Sequence, residues 1–229
     1  MRHIVLDTET TGFNPQSGDR IVEIGCVELI NHIATGVDFH RYLNPERDMP
    51  TGAFEVHGLS EEFLSDKPLF VDVVDDFLTF IGDAPLVIHN AEFDMKFLNA
   101  ELKMIGRAEL PMSRSIDTVQ MARKRFPGAR ASLDALCQRF GIDLSARDKH
   151  GALLDAQLLG EVFLELQGGR EPGLELGAGS QANSGSGFIL RREHRDPRPH
   201  APTGAELAAH DKFLEKLKDP AWKKAAAGD

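Results

Sequence analysis

The stretch Arg2-His-Ile-Val-Leu-Asp-Thr-Glu-Thr-Thr-Gly-Phe13 decides how the chain is read. Ile4, Val5 and Leu6 form a short apolar run with no helical spacing, bounded by Thr and Gly, which predicts a buried β-strand. Side chains alternate along a strand, so Asp7 and Glu9 leave the same face, with Val5 behind them. At roughly 5 Å and an effective dielectric of about 20, two such charges repel by about 3 kcal/mol. A cation offsets that cost, and two hard oxygen donors at one strand end suit Mg²⁺ or Mn²⁺. The plainer alternative is a carboxylate that caps the next turn or faces solvent.

Outward from this strand, Phe13 to Asp19 is polar and holds Pro15 and Gly18, a turn. Arg20 to Ile30 and Ile33 to Leu43 follow as apolar or alternating segments, with Asn31-His32 between them, so residues 3–43 predict three strands in sequence. Val71, Val74, Phe77, Leu78 and Ile81 recur at helical spacing and Gly82 ends that helix. Leu86-Val87-Ile88 predicts another buried strand, and Phe93 to Ile105 a helix. Two further helices are expected, from Ser132 to Gly141 and from near Gly151 to Leu166. An antiparallel opening followed by strand, helix, strand, helix predicts an α/β domain with a mixed sheet.

The domain is expected over residues 1–167. Residues 168–187 hold 7 glycines and three serines, which predicts a flexible linker, taken as residues 168–202. Beyond it, Thr203-x-x-Glu206 is a capping box opening a short helix with the stripe Leu207, His210, Phe213, Leu214 and Leu217, expected to stop at Pro220. The formal net charge is −10, and the acidic excess belongs to the first 167 residues, with 16 Lys+Arg against 27 Asp+Glu. An overall acidic balance is not the electrostatic footprint of a nucleic-acid binder, but bound divalent ions reverse the sign locally. Cys26 and Cys137 lie in apolar segments without C-x-x-C spacing, as small buried hydrophobes in a reducing compartment. No 18-residue apolar stretch or signal peptide is evident, so a cytoplasmic protein without membrane contact is expected.

Two more acids stand on apolar stripes. Asp94 precedes Leu98 and Leu102 by four and eight residues, and Asp155 precedes Leu158, Leu159 and Val162 by three, four and seven. An inward carboxylate with no basic neighbour in sequence is costly unless it binds something. Either alone fits an Asp paired with a distant Arg; four such acids at the edges of apolar elements point to a shared ligand. His150, five residues before Asp155, becomes a candidate general base beside such a cluster, since an ordinary pKa of about 6.5 lets it take a proton from water.

Asp7-Thr-Glu-Thr-Thr-Gly12, His89-Asn-Ala-Glu-Phe-Asp94 and His150-Gly-Ala-Leu-Leu-Asp155 resemble, in order and spacing, the three motifs of the DEDDh (DnaQ-like) 3′→5′ exonucleases. The H-x-x-x-x-D spacing of the last marks the histidine subgroup. Within that family the chain is most similar to the proofreading subunits of bacterial DNA polymerase III, through His57-Gly58 and the tail segment Glu206-Leu-Ala-Ala-His210. The resemblance implies an RNase H-like mixed five-stranded sheet flanked by helices, with a flexible C-terminal tail and two divalent metal ions. Asp7 would bridge both ions, Glu9 and Asp155 would complete the site of one, Asp94 would support the other, and His150 would deprotonate the attacking water. It places Thr10 and Thr11 at the terminal nucleotide and His57 and Phe93 against its sugar and base, core packing being the competing use of Phe93. Asn90 is expected to hold its motif's turn and His89 to be structural. The expected substrate is a single-stranded or frayed 3′ end of DNA. The core alone leaves RNA open, and the tail favours DNA. Residues 203–229 would dock in the alpha subunit of DNA polymerase III, burying Leu207, Phe213, Leu214 and Leu217. Residues 170–176, Arg-Glu-Pro-Gly-Leu-Glu-Leu, stand where the family carries a sliding-clamp peptide, without its Gln and with Leu in place of Phe.

Overall fold

The computed structural model describes residues 1–145, 149–169 and 201–217. The expected three-strand opening is present as β1 (Arg2–Thr10), β2 (Ile21–Ile30) and β3 (Ile33–Tyr42). The β2–β3 turn uses Asn31 and His32, both in the left-handed region, where Asn carries little penalty. Two short helices that the apolar spacing did not announce follow, α1 (Thr51–His57) and α2 (Glu61–Leu64), and then α3 (Phe70–Ile81). Next come β4 (Leu86–Ile88) and α4 (Ala91–Met104), then β5 (Ser115–Asp117) and α5 (Thr118–Arg125), with α6 (Leu133–Phe140) and α7 (Ala152–Leu166) completing the domain. β5 escaped the sequence reading because three residues are too few to show a period.

The sheet has five strands in the order β3-β2-β1-β4-β5. β1–β2 and β2–β3 pair antiparallel, β1–β4 and β4–β5 parallel. β1, at the centre, is covered on both faces. Ile4 and Leu6 enter a core with Phe77, Ile81, Phe97 and Leu98 of α3 and α4, whereas Val5 enters a second core with Leu136, Ala156, Leu159 and Phe163 of α6 and α7. The alternation that puts Val5 toward α7 puts Asp7 and Glu9 on that side too.

Gly25 lets α7 come down onto the sheet. It pairs with Asp7 across the β1–β2 ladder, and a Cβ there would lie 2.3 Å from the Ala152 carbonyl carbon and the Leu153 nitrogen. Backbone at the start of α7 therefore occupies the space that any side chain would need. Farther along α7, Gly160 faces Leu29 and Val5 at distances where a Cβ would make ordinary contact.

The linker and residues 170–176 lie outside the described residues. Described by itself, the tail helix α8 (Gly204–Leu214) opens on the expected box: Thr203 Oγ1 accepts from the Glu206 N–H, and Glu206 Oε2 accepts from the Thr203 N–H at 2.7 Å. It ends at Leu214 rather than running to Pro220, leaving Leu217 just past the helix. Gly25→Ala is expected to lower stability by about 1–3 kcal/mol through overpacking against the start of α7, read as a lower urea midpoint.

Candidate active site

The site forms where the C-terminal end of β1 meets the first turns of two helices. Asp94 and Asp155 each lie in a first turn, of α4 and α7 respectively, where the positive end of the helix dipole favours a carboxylate by about 0.3–1 kcal/mol. α4 begins at Asn90, held in the left-handed region at φ 67°, with its N–H donating to Asp117 Oδ1 at 3.3 Å. His89 braces the same turn through Nδ1, 2.9 Å from Thr118 Oγ1.

Glu9, His150 and Asp155 each present a ligand atom such that all three atoms lie within 4.8 Å of one another. Asp155 is buried, and its Oδ2 stands 3.2 Å from His150 Nδ1. The His150 side chain is 49% exposed and its backbone N–H donates to the Val56 carbonyl at 3.3 Å. Lys149, just before it, lies 5.1 Å over the Phe54 ring. The segment carrying His150 thus rests on α1.

Asp94 approaches β1 from the opposite layer. Its Oδ1 accepts from the Thr8 N–H at 3.0 Å and the Thr8 hydroxyl at 2.7 Å. Burial lifts its pKa to about 7 against the opposing pull of the Thr8 bonds, and Asp117 adds to the rise. Asp7 is pushed well above the usual carboxylate range, first by burial and then by Asp94, Glu9, Asp155 and Glu23. The four acids named by the sequence therefore share one electrostatic site, although among the described residues the group compact enough to share one ion contains His150 with Glu9 and Asp155. Hard oxygens with one imidazole form a donor set that suits Mg²⁺ or Mn²⁺. Carboxylates forced together in a dry site are what a divalent cation relieves.

The expected nucleotide contacts fare differently. Thr10 donates its hydroxyl to the Gly12 carbonyl at 2.6 Å. Thr11 is 1% exposed; its hydroxyl faces Asp19 Oδ1 and accepts from the Arg20 N–H. Both side chains build the turn after β1, a use that motif spacing cannot reveal. His57 ends α1 and is 6% exposed. Its Nδ1 accepts from the Leu59 N–H at 3.0 Å, and its Nε2 lies buried without a hydrogen-bond partner among the described residues. Burial lowers its pKa. Phe93 is half-buried, its ring 5.0 Å from that of Phe97. Sequence reasoning missed Thr8 and Glu23. Glu23 carried the same signal as Asp7, a carboxylate inside the apolar run Ile21 to Ile24.

Comparison with known proteins gives a consistent family. The RNase T family, described as exonuclease, matches residues 4–163. The DNA polymerase III subunit epsilon of Rickettsia felis is 50% identical over 222 residues, covering 95% of this chain and 97% of the relative. That of Escherichia coli K12 is 45% identical over 225 residues, covering 93% and 92%. Among solved structures, exonuclease X in complex with 5′ overhanging duplex DNA superposes with a TM-score of 0.58 at 25% identity, over 72% of this chain and 90% of that one. The nuclease domain of 3′hExo, a DEDDh family member, gives a TM-score of 0.63 at 19% identity over 72% and 91%, and speaks for the fold alone.

Such a site has a pH signature. A carboxylate whose folded pKa is raised binds more protons in the native state than in the unfolded one, so stability falls as pH rises from the ordinary value of 3.8 to about 7 at Asp94. Mn²⁺ is therefore expected to raise the melting temperature more at pH 8 than at pH 5, checked by thermal unfolding with and without the ion; an equal shift at both would contradict the assignment. Matched over most of its length and nearly half identical to full-length relatives, the chain belongs to the RNase T exonuclease family, in the branch of bacterial DNA polymerase III epsilon subunits.

Proposed function

We propose that this 3′→5′ exonuclease proofreads for a replicative DNA polymerase III with Asp7, Glu9, Asp94 and Asp155 holding two divalent ions, Mg²⁺ or Mn²⁺, and His150 acting as general base. The observation that carries the assignment is the convergence of Glu9, His150 and Asp155 within 4.8 Å, beside an Asp7 whose carboxyl is raised by Asp94, Glu9 and Asp155 as well as by burial. Bound there, the ions would supply charge stabilisation for the attacking and leaving oxygens of the phosphodiester.

The chain's own residues supply the rest. Asp155 Oδ2 takes a hydrogen bond from His150 Nδ1–H, which holds the imidazole in the tautomer whose Nε2 is the basic nitrogen. Nε2 of this half-exposed ring would take the proton of the attacking water. Thr8 fixes Asp94 through two hydrogen bonds, so that carboxylate is set before substrate arrives. The product is a nucleoside 5′-monophosphate, released from a single-stranded or frayed 3′ end, whose unstacking costs less than that of a paired one. His57 and Phe93 border the terminal nucleotide, and the Thr10–Thr11 turn shapes the entrance.

The partner of the tail is the alpha subunit of the polymerase, engaged through residues 203–229. Leu207, Phe213 and Leu217 are exposed on or just after α8, and an amphipathic helix with such anchors suits a groove on a partner. The relatives named epsilon subunits align over more than nine-tenths of this chain, so the likeness reaches into the tail. Contact of residues 170–176 with a sliding clamp belongs to the same proposal as its weaker part, since those residues depart from the family's peptide.

Asp7→Ala with Glu9→Ala is expected to eliminate Mg²⁺-dependent release of nucleotide from a 3′-labelled mispaired primer, while co-purification with the polymerase persists. A doubly substituted protein that still degrades the primer would overturn the ligand assignment. Removing residues 180–229 should do the reverse, leaving hydrolysis of free single-stranded DNA intact and abolishing polymerase binding; loss of hydrolysis there would refute the domain boundary.

A further inference from the structure

Glu23 is a carboxylate in the middle of a buried strand that the chemistry above does not use. It is 3% exposed, it follows Ile21 and Val22 in the core, and it stands in register with Glu9 across the β1–β2 ladder. Directly paired residues of antiparallel strands project from the same face, so Glu23 lies on the side of the sheet that carries the catalytic acids. A buried carboxylate of this kind needs a partner, and it has one: His40 Nε2 lies 2.7 Å from Glu23 Oε1.

His40 is itself braced. Its ring meets Tyr42 edge-on with centroids 4.7 Å apart, and Tyr42 meets Phe63 edge-on at 5.1 Å. Glu23 is thereby clamped from the β3 side. Toward the site, the residue directly across the ladder is Glu9, and Asp7 stands two residues along β1 on the same face. A negative charge in that position attracts a cation held by Asp7 and Glu9.

We propose that Glu23, locked in place by His40, is a positioning residue of the hydrolytic site whose fixed negative charge strengthens divalent-cation binding at Asp7 and Glu9 without touching ion or nucleotide. The inference rests on Asp7 and Glu9 being the ion ligands. Groups that orient and polarise metal ligands from behind typically change metal affinity by about 10–100-fold when replaced.

The test is calorimetric titration of the DNA-free full chain with Mn²⁺, accompanied by the Mg²⁺ dependence of nucleotide release. Glu23→Gln keeps the shape and the capacity to accept from His40 but removes the charge; its Mn²⁺ dissociation constant should rise about tenfold. Glu23→Asp keeps the charge and should recover most of that loss. Should Glu23→Gln fail to fold by circular dichroism, His40 gives a second route: His40→Ala frees the carboxylate and should weaken Mn²⁺ binding, while His40→Gln, which restores a donor, should rescue it. Wild-type Mn²⁺ affinity in folded Glu23→Gln, or equal affinity of His40→Ala and His40→Gln, overturns the proposal. Asp7→Ala separates the two levels. If it abolishes Mn²⁺ binding while Glu23→Gln leaves it unchanged, only the role of Glu23 falls; if it leaves binding unchanged, the ligand assignment beneath it falls.

Discussion

Asp7, Glu9, Asp94 and Asp155 repel one another, and the fold brings them together nevertheless. Burial and repulsion from the other acids drive the Asp7 carboxyl well up, and burial, with a smaller push from Asp117, lifts that of Asp94 to about 7. Helix dipoles and the Thr8 hydrogen bonds offset only part of this, each contribution being about 1 kcal/mol. The framework that withstands the remainder is the doubly covered β1, with apolar side chains packed against helices on both faces. The site is thus strained in its charge distribution rather than in its backbone, and a bound divalent cation relieves such strain.

Approach distance is the second requirement. Asp155 can share a ligand with Glu9 because the start of α7 lies against Gly25, directly across the ladder from Asp7. One missing side chain on β2 thereby sets the geometry of a carboxylate more than a hundred residues later. Asp94 solves the same problem from the other layer, reaching β1 at Thr8, whose side chain alternates away from Asp7 and Glu9. Each carboxylate-bearing helix thus meets β1 on the face that strand alternation turns toward it.

Around these acids, the supporting residues divide the labour. Thr10 and Thr11 spend their hydroxyls on their own loop, and Asn90 and His89 on the turn that starts α4. His57 stays buried at the end of α1, with its Nδ1 taken by the Leu59 N–H. A cavity of about 920 Å³ between the β2–β3 hairpin and α7 is bordered by Leu29, Ile33, Val37 and Leu164, and none of the four motif acids is among its lining residues.

The amino-acid sequence by itself determined β1 and its two-faced alternation, the β2–β3 hairpin, the helices with apolar stripes and the identity of the motif acids, because these follow from periods of two and 3.6 and from residue chemistry. It left α1, α2, α5 and β5 unread: α1, α2 and β5, at seven, four and three residues, are too short to show a period, and α5 buries only Thr118 and Ala122. It overran α8, whose Leu217 fits the stripe but lies past the helix. Tertiary structure alone decided that Thr8 holds Asp94, that Thr11 faces inward, that His150 joins Glu9 and Asp155, and that Glu23 stands behind them. Those relations depend on distances between segments far apart in the chain, and such distances are fixed by packing and hydrogen bonding across layers, which local spacing does not encode.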